Sequence, residues 1–330
     1  MKLRRRLAFS LIPLLLLVAG GEVALWVADW PKARTDLTFE HNQSYWVADP
    51  GLDHHPYPHR ETGGAFTVST DQQGLRYPLH PLEPSAGADP FRVMFLGCST
   101  TFGWGVDDEQ TYPARVQASL DAQGRRGIEV FNAGQPGHTS FQGLWFYQNA
   151  LRAYHPDLVF FGYVVQDARL AAYSDASQAL LQQDARFLKQ TLLYHSHLYL
   201  GLRTLIDAWR IRSKERDESG HEGVYRVSRE DYVENIRAFA RLTARDDARL
   251  VLFDFPLERA GYTREHRRLV RIAAEELDLP HLDIQAEVEE ASRSQELYFP
   301  KDPGHANAEG HAFIADRVLG FLQAESLLPR

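Results

Sequence analysis

Cysteine is almost absent from this chain of 330 residues, in which Cys98 stands alone. This excludes an internal disulfide and any zinc site built from several cysteines. With no disulfide to interpret, the cysteine content does not indicate a redox compartment. Positive charge is scarce as well, since 36 Lys and Arg residues face 44 Asp and Glu residues, and no long basic run exists beyond residue 6. We therefore expect no nucleic-acid partner.

The remaining composition is that of an ordinary globular protein. Apolar residues make up 44% and charged residues 24% of the chain, which excludes a mainly disordered or fibrous protein. The length is sufficient for a large core. It permits two domains, or one large α/β domain with extensions.

The N-terminus indicates export. The chain begins MKLRRR, and the apolar stretch that follows at residues 7–28 carries one charge, Glu22. A helix of that length would span about 30 Å of hydrocarbon. Because the basic residues precede it, we expect a single-pass anchor with a cytoplasmic N-terminus and the rest of the chain on the periplasmic or extracellular side. A cleaved signal peptide is the alternative, because residues 7–18 form a short apolar core and residues 19–21 are small.

After this anchor or signal sequence at residues 1–30, we expect a lead segment at 31–90 that packs on the main domain. Residues 65–69 predict a strand and residues 71–74 a turn within it. Three histidines, His54, His55 and His59, lie close together there. Without cysteines or regularly spaced acidic residues beside them, we interpret them as part of a surface loop rather than a metal site.

The main domain is predicted at residues 91–325, where apolar runs alternate with segments of helical periodicity. A helical insertion is predicted at about 170–225, with apolar positions that include Leu180, Phe187 and Leu188 and a charged loop at 213–220. Ser228 is expected to begin the next helix. Continuous apolar strands between helices indicate a parallel sheet of about five strands covered on both faces, hence an α/β fold. The predicted strands are residues 92–97, 128–132, 158–165, 249–254 and 281–283.

A serine follows directly after the first predicted strand. Ser99 lies between Gly97 and Gly103, at the edge of the sheet where open α/β folds bind their ligands. The flanking glycines allow a sharp turn and close approach of a substrate. Taken alone, the pattern also fits a simple strand-to-helix turn capped by serine.

An acid and a histidine near the C-terminus favour chemistry at this serine. Asp302 and His305 lie three residues apart, in what we interpret as a turn containing Pro303 and Gly304, before a helix capped by Asn307. Such a carboxylate can orient one imidazole nitrogen and leave the other free to take a serine proton. His311 and His138 are competing histidines, and we expect a structural or surface role for His311.

These motifs together resemble those of the SGNH (GDSL-type) hydrolase superfamily, over about residues 91–322. Thr70-Asp-Gln-Gln-Gly-Leu-Arg76 also resembles the lead-in of exported members. Each block alone is a weak signal, but four in order at expected strand ends are strong together. The blocks are Gly97-Cys-Ser-Thr-Thr-Phe-Gly103, Asn132-Ala-Gly134-Gln-Pro-Gly137, Gly162-Tyr-Val-Val-Gln166-Asp167 and Asp302-Pro-Gly-His305.

The resemblance implies a flavodoxin-like three-layer α/β/α sandwich and a catalytic triad. Ser99 would be the nucleophile, His305 the general base and then acid, and Asp302 the residue that orients His305. The oxyanion hole would consist of the backbone N–H groups of Ser99 and Gly134 and the side-chain amide of Gln166. No cofactor or metal is implied.

Two positions depart from the family pattern. Cys98 replaces an aspartate of the first block, and Gln166 replaces an asparagine that donates to the oxyanion. Neither departure removes a triad residue. Simpler roles remain open, in which Asp167 caps the next helix and Gly134 is only a turn residue. Trp104 and Trp145 are expected either to line the substrate pocket or to lie in the core.

The resemblance implies an exported serine esterase that removes acetyl or other short acyl groups from an acylated small molecule or polysaccharide. Two alternatives stay open. One is an O-acyltransferase that acts on an envelope polysaccharide with the same triad. The other is a non-catalytic carbohydrate-binding module on the same fold, which Cys98 and Gln166 motivate.

Overall fold

The computed structural model describes residues 2–30, 47–83, 89–183, 192–212 and 223–329. The chain divides into two compact units, Met1–Ser44 with Leu170–Val224, and Tyr45–Arg169 with Tyr225–Arg330. The first unit contains the N-terminal helix and the insertion predicted at about 170–225. The lead segment belongs to the second unit from Tyr45 onward. Phe187, Leu188 and the charged loop predicted at 213–220 lie outside the described residues.

The regular elements are as follows in chain order. The helices are α1 (Lys2–Val27), α2 (Ser99–Phe102), α3 (Tyr112–Ala122), α4 (Ser140–Asn149), α5 (Asp175–Gln183), α6 (His197–Arg212), α7 (Arg229–Arg245), α8 (Arg264–Leu277), α9 (Gln285–Ala291) and α10 (Ala308–Ala324). The strands are β1 (His55–His59), β2 (Gly64–Val68), β3 (Phe91–Gly97), β4 (Ile128–Gly134), β5 (Leu158–Gly162), β6 (Leu170–Ala171), β7 (Val224–Tyr225), β8 (Arg249–Asp254), β9 (His281–Asp283), β10 (Tyr298–Phe299) and β11 (Asp302–Ala306).

A five-stranded parallel sheet forms the centre of the second unit, in the order β4-β3-β5-β8-β9. All five predicted strands are present. The prediction for the third strand was too long, because β5 ends at Gly162 and residues 163–165 leave the sheet. The Tyr163 carbonyl accepts a hydrogen bond from the Tyr232 hydroxyl, so a side chain of α7 takes the place of a neighbouring strand.

Both faces of this sheet are covered, as the continuous apolar strands predict. Along β3, Val93 and Phe95 pack into one core cluster, and Met94 and Leu96 pack into the other. Helices α3, α9 and α10 contribute to the first cluster, and α4, α7 and α8 contribute to the second. β3 is the first strand of this sheet in chain order, and β4 and β5 then lie on opposite sides of it. The direction in which strands are added therefore reverses at β3, which places a topological switch point at its carboxyl end.

Side-chain caps define two of these helices where the sequence predicts them. The Ser228 hydroxyl accepts from the Asp231 amide at 3.1 Å before α7. The Asn307 side chain accepts from the Gly310 amide at 2.9 Å before α10. Each cap satisfies one of the amides that a helix start leaves without an intrahelical partner.

The lead segment forms an antiparallel hairpin of β1 and β2. Its strand β2 confirms the strand predicted at residues 65–69, and Gly74 bonds the Asp71 carbonyl at 3.1 Å in the predicted turn. Phe66 and Val68 pack with Phe102, and Trp104 packs against the same cluster. The hairpin is thus joined to the segment that follows Ser99.

A buried arginine also connects the lead segment to the segment that follows Ser99. The Arg76 guanidinium is fully buried, and its Nε donates to the Asp108 carboxylate at 2.9 Å. Burial lowers the pKa of Arg76, while the Asp108 charge acts in the opposite direction. The remaining donors bond four backbone carbonyl oxygens, those of Thr67, Phe102, Gly103 and Val106.

In the first unit, α1 contacts α6 through a carboxylate. Glu22 accepts hydrogen bonds from the His197 amide at 2.6 Å, the Leu198 amide at 2.9 Å and the Ser196 hydroxyl at 2.7 Å. A carboxylate in this position stabilises the positive end of the helix dipole. The acidic residue that interrupts the apolar N-terminal stretch therefore caps the start of α6.

Within the described part of the chain, the structure contains no helix with the length and apolar character needed to cross a membrane. The membrane-spanning helix predicted at residues 7–28 is therefore not confirmed.

Replacement of Arg76 by methionine tests the buried ion pair. The Asp108 carboxylate would stay buried without its cation, so we expect unfolding to become easier by about 3–5 kcal/mol. Denaturant titration of the purified protein measures this change. Arg237→Met is the control, because its partner Glu276 is half exposed and the loss should stay below about 1 kcal/mol. Equal effects of the two substitutions would contradict the assignment.

Candidate active site

Ser99 is placed by the abrupt end of β3. Cys98 is still extended, and Ser99 is the first residue of α2, which ends at Gly103 with a φ of 87°. A Cβ atom at Gly97 would lie 2.1 Å from the Thr101 hydroxyl, so only glycine lets the chain turn back this closely. As the first residue of a helix, Ser99 has a backbone N–H with no intrahelical acceptor.

The structure brings the three predicted triad residues together. His305 Nε2 lies 2.8 Å from Ser99 Oγ, and His305 Nδ1 lies 2.7 Å from Asp302 Oδ2. The predicted turn is wrong, however, because residues 302–306 form the strand β11. This strand pairs antiparallel with β10, and Tyr298 opposite Ala306 holds it extended. Both triad partners of Ser99 therefore come from one short hairpin.

The environment of Asp302 keeps its carboxyl group ionised. Partial burial raises its pKa, but hydrogen bonds and charge interactions with His305 and His59 outweigh burial and hold the pKa below its usual range. An ionised Asp302 fixes a proton on the facing nitrogen of His305 and leaves Nε2 able to accept the proton of Ser99.

His59 is the main correction to the sequence analysis, which assigned it to a surface loop. It is the last residue of β1, only 2% exposed, and its Nε2 lies 3.1 Å from Asp302 Oδ2. Among the described residues, His59, Glu61 and Asp302 place possible metal-ligand atoms within 4.8 Å of one another. Because Asp302 is already hydrogen-bonded to His305, we interpret this cluster as part of the surroundings of the triad and not as a metal site.

Gly134 lies beside the helix that carries Ser99. A Cβ atom at Gly134 would lie 2.2 Å from the Phe102 amide nitrogen, so the end of β4 packs directly against α2. Gly134 is the last residue of β4, the edge strand beside β3, and not only a turn residue. In this structure its N–H donates to the Asn132 side-chain oxygen at 3.1 Å. The backbone N–H group that is predicted to bind the oxyanion thus already donates to a side chain of the same sequence block.

Gln166 is held by an arginine that the sequence analysis did not single out. Arg226 Nη1 donates to Gln166 Oε1 at 3.0 Å and to the Gly137 carbonyl oxygen at 2.8 Å. This contact engages the oxygen end of the Gln166 amide. The NH₂ end is the one that can donate to an oxyanion.

Asp167 does not cap the helix that follows it. Its carboxylate is fully buried and accepts from the Ser140 amide at 2.9 Å and the Ser140 hydroxyl at 2.5 Å. Ser140 is the first residue of α4, so Asp167 binds the start of the preceding helix. The Asn235 side chain donates to the same hydroxyl at 2.9 Å. This network fixes the end of the third sequence block.

Cys98 and His311 have roles in the interior. Burial raises the pKa of the Cys98 thiol, whose sulfur lies 3.2 Å from the Thr100 hydroxyl. This environment disfavours the thiolate that a cysteine nucleophile needs. Burial lowers the pKa of His311 to about 3, and its Nδ1 accepts from the Tyr112 amide at 3.1 Å. The expected structural role of His311 is thus supported.

The other candidates lie as follows. His138 is buried and packs edge to face against Phe146, with ring centroids 6.2 Å apart. Trp104 packs against Phe66 at 5.3 Å, in the core of the lead segment. Trp145 remains 36% exposed on α4.

Sequence reasoning missed His59 and Arg226 because their partners are distant along the chain. His59 and Asp302 are separated by 243 positions, and Arg226 and Gln166 by 60. The clustering of histidines around position 59 was the only local signal, and it gave no indication of burial. By contrast, the three-residue spacing of Asp302 and His305 is visible in the sequence.

The arrangement is suited to nucleophilic attack by a serine. A hydroxyl, an imidazole and an ionised carboxylate form a connected chain of hydrogen bonds at the carboxyl edge of a parallel sheet. In such a chain the imidazole takes the proton of the hydroxyl while the carboxylate stabilises the resulting imidazolium.

Comparison with solved structures finds distant similarities. LAE5, an alpha/beta hydrolase enzyme from the metagenome of Lake Arreo, is 18% identical, with a TM-score of 0.48 over 71% of this chain and 95% of its own. Axe2, an acetylxylan esterase from Geobacillus stearothermophilus, is 20% identical, with a TM-score of 0.45 over 70% and 94%. The lipase/acylhydrolase from Enterococcus faecalis is 14% identical, with a TM-score of 0.49 over 71% and 96%.

None of the curated proteins matches the chain. The model of the GDSL-like lipase/acylhydrolase family, however, matches residues 95–313, which is more than half of the chain. This range includes Ser99, Asp302 and His305. The chain therefore belongs to the GDSL-like lipase/acylhydrolase family, a family of ester-hydrolysing enzymes.

Proposed function

We propose that this acylhydrolase is a serine esterase that removes acetyl or other short acyl groups through an acyl-serine intermediate. The observation that carries the proposal is the unbroken chain from Ser99 Oγ to His305, at 2.8 Å, and from His305 to Asp302, at 2.7 Å. A binding module would have no need for a serine connected in this way to a base and an acid. The geometry therefore supports a catalytic site over a non-catalytic one.

The reaction proceeds in two steps. In the first, His305 Nε2 takes the proton of Ser99, and Oγ attacks the carbonyl carbon of the ester. The tetrahedral intermediate collapses, the protonated His305 gives its proton to the leaving alcohol oxygen, and the acyl group stays on Ser99. In the second step, His305 takes a proton from water, which attacks the acyl carbon, and Ser99 recovers its proton as the acid leaves.

The negative charge that develops on the carbonyl oxygen needs hydrogen-bond donors. The Ser99 backbone N–H is the first, and we assign the Gly134 N–H and the Gln166 NH₂ group as the others. Binding of an oxyanion would draw the Gly134 N–H away from Asn132. Each such donor contributes about 2.7–4 kcal/mol in the transition state of comparable hydrolases.

We further propose that the enzyme acts outside the cytoplasm, on an acylated small molecule or polysaccharide, and is attached to a membrane through α1. The basic N-terminal sequence and the apolar side chains of α1 support this attachment. Leu15, Leu16 and Leu17 are 65–73% exposed within the first unit. Apolar side chains on α6, such as Leu205 and Trp209, are also exposed.

Labelling with a fluorophosphonate tests the nucleophile. We expect a single adduct on Ser99, located by mass spectrometry, because the probe reacts with serines activated by a base. Ser99→Ala should lose the adduct and about 10⁴- to 10⁶-fold in kcat while the unfolding midpoint stays nearly unchanged. Ser294→Ala, which alters an exposed serine, is the control. An adduct that survives in Ser99→Ala would refute the assignment.

The same preparations distinguish hydrolysis from transfer. We expect acetate to be released from an acetylated sugar in water alone. Release that requires an added sugar acceptor would instead identify an O-acyltransferase.

The acid side of the pH profile tests the state of Asp302. Because its pKa is held below the usual range, Asp302 stays ionised through the acid limb of the profile, so that only loss of the general base shapes this limb. As the pH falls, log(kcat/KM) should therefore decrease with a slope of one. Asp302→Asn should lose on the order of 10⁴-fold in kcat. A slope of two would mean that Asp302 titrates in the same range and would contradict its assigned state.

Cell fractionation tests the membrane attachment. We expect the chain in the membrane fraction after an alkaline carbonate wash, and we expect protease added outside the inner membrane to digest it. Leu15→Asp with Leu17→Asp should release it, because each aspartate in hydrocarbon costs about 2.5–3.5 kcal/mol. Leu180→Asp is the control, since this leucine is equally exposed on another helix. Recovery of the unaltered chain in the soluble fraction would rule out attachment.

A further inference from the structure

We propose that His59 is a positioning residue of the catalytic triad, which donates a hydrogen bond to Asp302 and holds its carboxylate in place for His305. The proposal rests on the esterase mechanism above. It adds a fourth member to the hydrogen-bonded chain, supplied by the lead segment rather than by the sequence blocks shared with the family.

The two imidazoles meet on one oxygen atom. His59 Nε2 lies 3.1 Å from Asp302 Oδ2, and His305 Nδ1 lies 2.7 Å from the same atom. An ionised carboxylate oxygen has two lone-pair sites, so it can accept both hydrogen bonds. Rotation of the carboxylate about its Cβ–Cγ bond would break both contacts together. The second donor therefore opposes the rotation that would misalign His305.

The His59 ring is itself fixed by its surroundings. A Cβ atom at Gly105 would lie 2.6 Å from the His59 ring, so the ring lies directly over the backbone at that glycine. Phe299 packs edge to face against the ring at 4.7 Å between centroids, and Phe66 does so at 6.2 Å. A ring confined on three sides loses little entropy when it forms the hydrogen bond, as a positioning residue requires.

Two carboxylates face His59. Besides Asp302, the half-exposed Glu61 places Oε2 at 3.7 Å from His59 Nε2. The shorter contact to Asp302 selects this carboxylate as the acceptor of the N–H group. His305 interacts with His59 through Asp302. The Nε2–H group of His59 thus donates to the triad carboxylate rather than to solvent.

Loss of this donor has a defined electrostatic consequence. The hydrogen bond from His59 favours the ionised form of Asp302, so its removal raises the pKa of that carboxyl group. Without the hydrogen bond from His59, more of the negative charge of Asp302 is available to His305. The carboxylate then stabilises the imidazolium of His305 more strongly. The acid limb of the kcat/KM profile should move to higher pH while kcat falls because the base is less well oriented.

A pair of substitutions separates positioning from packing. His59→Phe keeps an aromatic ring between Phe66 and Phe299 but removes the donor. His59→Gln restores an N–H donor near the position of Nε2. We expect His59→Phe to lower kcat by about 10- to 100-fold, the range typical when a supporting hydrogen bond behind a ligand or base is lost, with KM little changed. His59→Gln should recover most of the rate and the original acid limb.

His55→Phe is the matched control, since it makes the same change on the same strand at an exposed position. It should leave kcat, the pH profile and the unfolding midpoint unchanged. The proposal is overturned if His59→Phe keeps the wild-type kcat and acid limb. It is also overturned if His59→Gln and His59→Phe lose equal activity in proportion to a lower unfolding midpoint, because His59 would then act only in packing.

Proton NMR gives a readout that does not depend on turnover. The proton between His305 Nδ1 and Asp302 should give a downfield signal that disappears in Asp302→Asn. We expect that signal to broaden or shift in His59→Phe and to return in His59→Gln. An unchanged signal in His59→Phe would overturn the proposal. An enzyme that shows this pattern but forms no fluorophosphonate adduct would refute the esterase mechanism and leave the role of His59 intact.

Discussion

The structure at the catalytic end of the sheet depends on the hydrogen bonds and the ion pair of the buried Arg76 guanidinium. A buried cation is stable only if its charge and its donors are matched, and here Asp108 and four backbone carbonyl oxygens provide the match. Two of those carbonyls belong to Phe102 and Gly103, at the end of the helix that begins with Ser99. The short nucleophile helix is thus held from its far end by a residue of the lead segment.

This attachment explains why the lead segment belongs to the site. Phe66 and Val68 of its hairpin pack with Phe102, and the hairpin strand β1 ends at His59, beside Asp302. Residues near the start and the end of the second unit therefore meet at one carboxylate. The lead segment does not merely cover the domain, since it supplies both Arg76, the cation that holds the helix of Ser99, and His59, a donor to the triad acid.

The sequence predicted features that arise from local patterns. Five apolar runs predicted the sheet, Ser228 and Asn307 predicted two helix starts, and the short spacing of Asp302 and His305 predicted that one orients the other. Its errors lie where pairing or packing between separate segments decides, whether the segments are near or far along the chain. Pairing with β10 makes residues 302–306 a strand instead of a turn. His59 is buried because the hairpin places it against Gly105 and Phe299, which no periodicity near position 59 indicates.

The choice of groups around Asp302 follows from what the triad acid must do. It must stay ionised while partly buried, and its charge must remain available to the imidazolium of His305. An arginine at the position of His59 would keep Asp302 ionised, but its permanent positive charge would oppose formation of that imidazolium. An imidazole N–H gives the hydrogen bond from a ring that carries no permanent charge. Arg76, the buried cation that bonds the end of the nucleophile helix, is paired with Asp108 instead. Separate partners for these two carboxylates allow one buried charge to stabilise the fold and the other to serve the reaction.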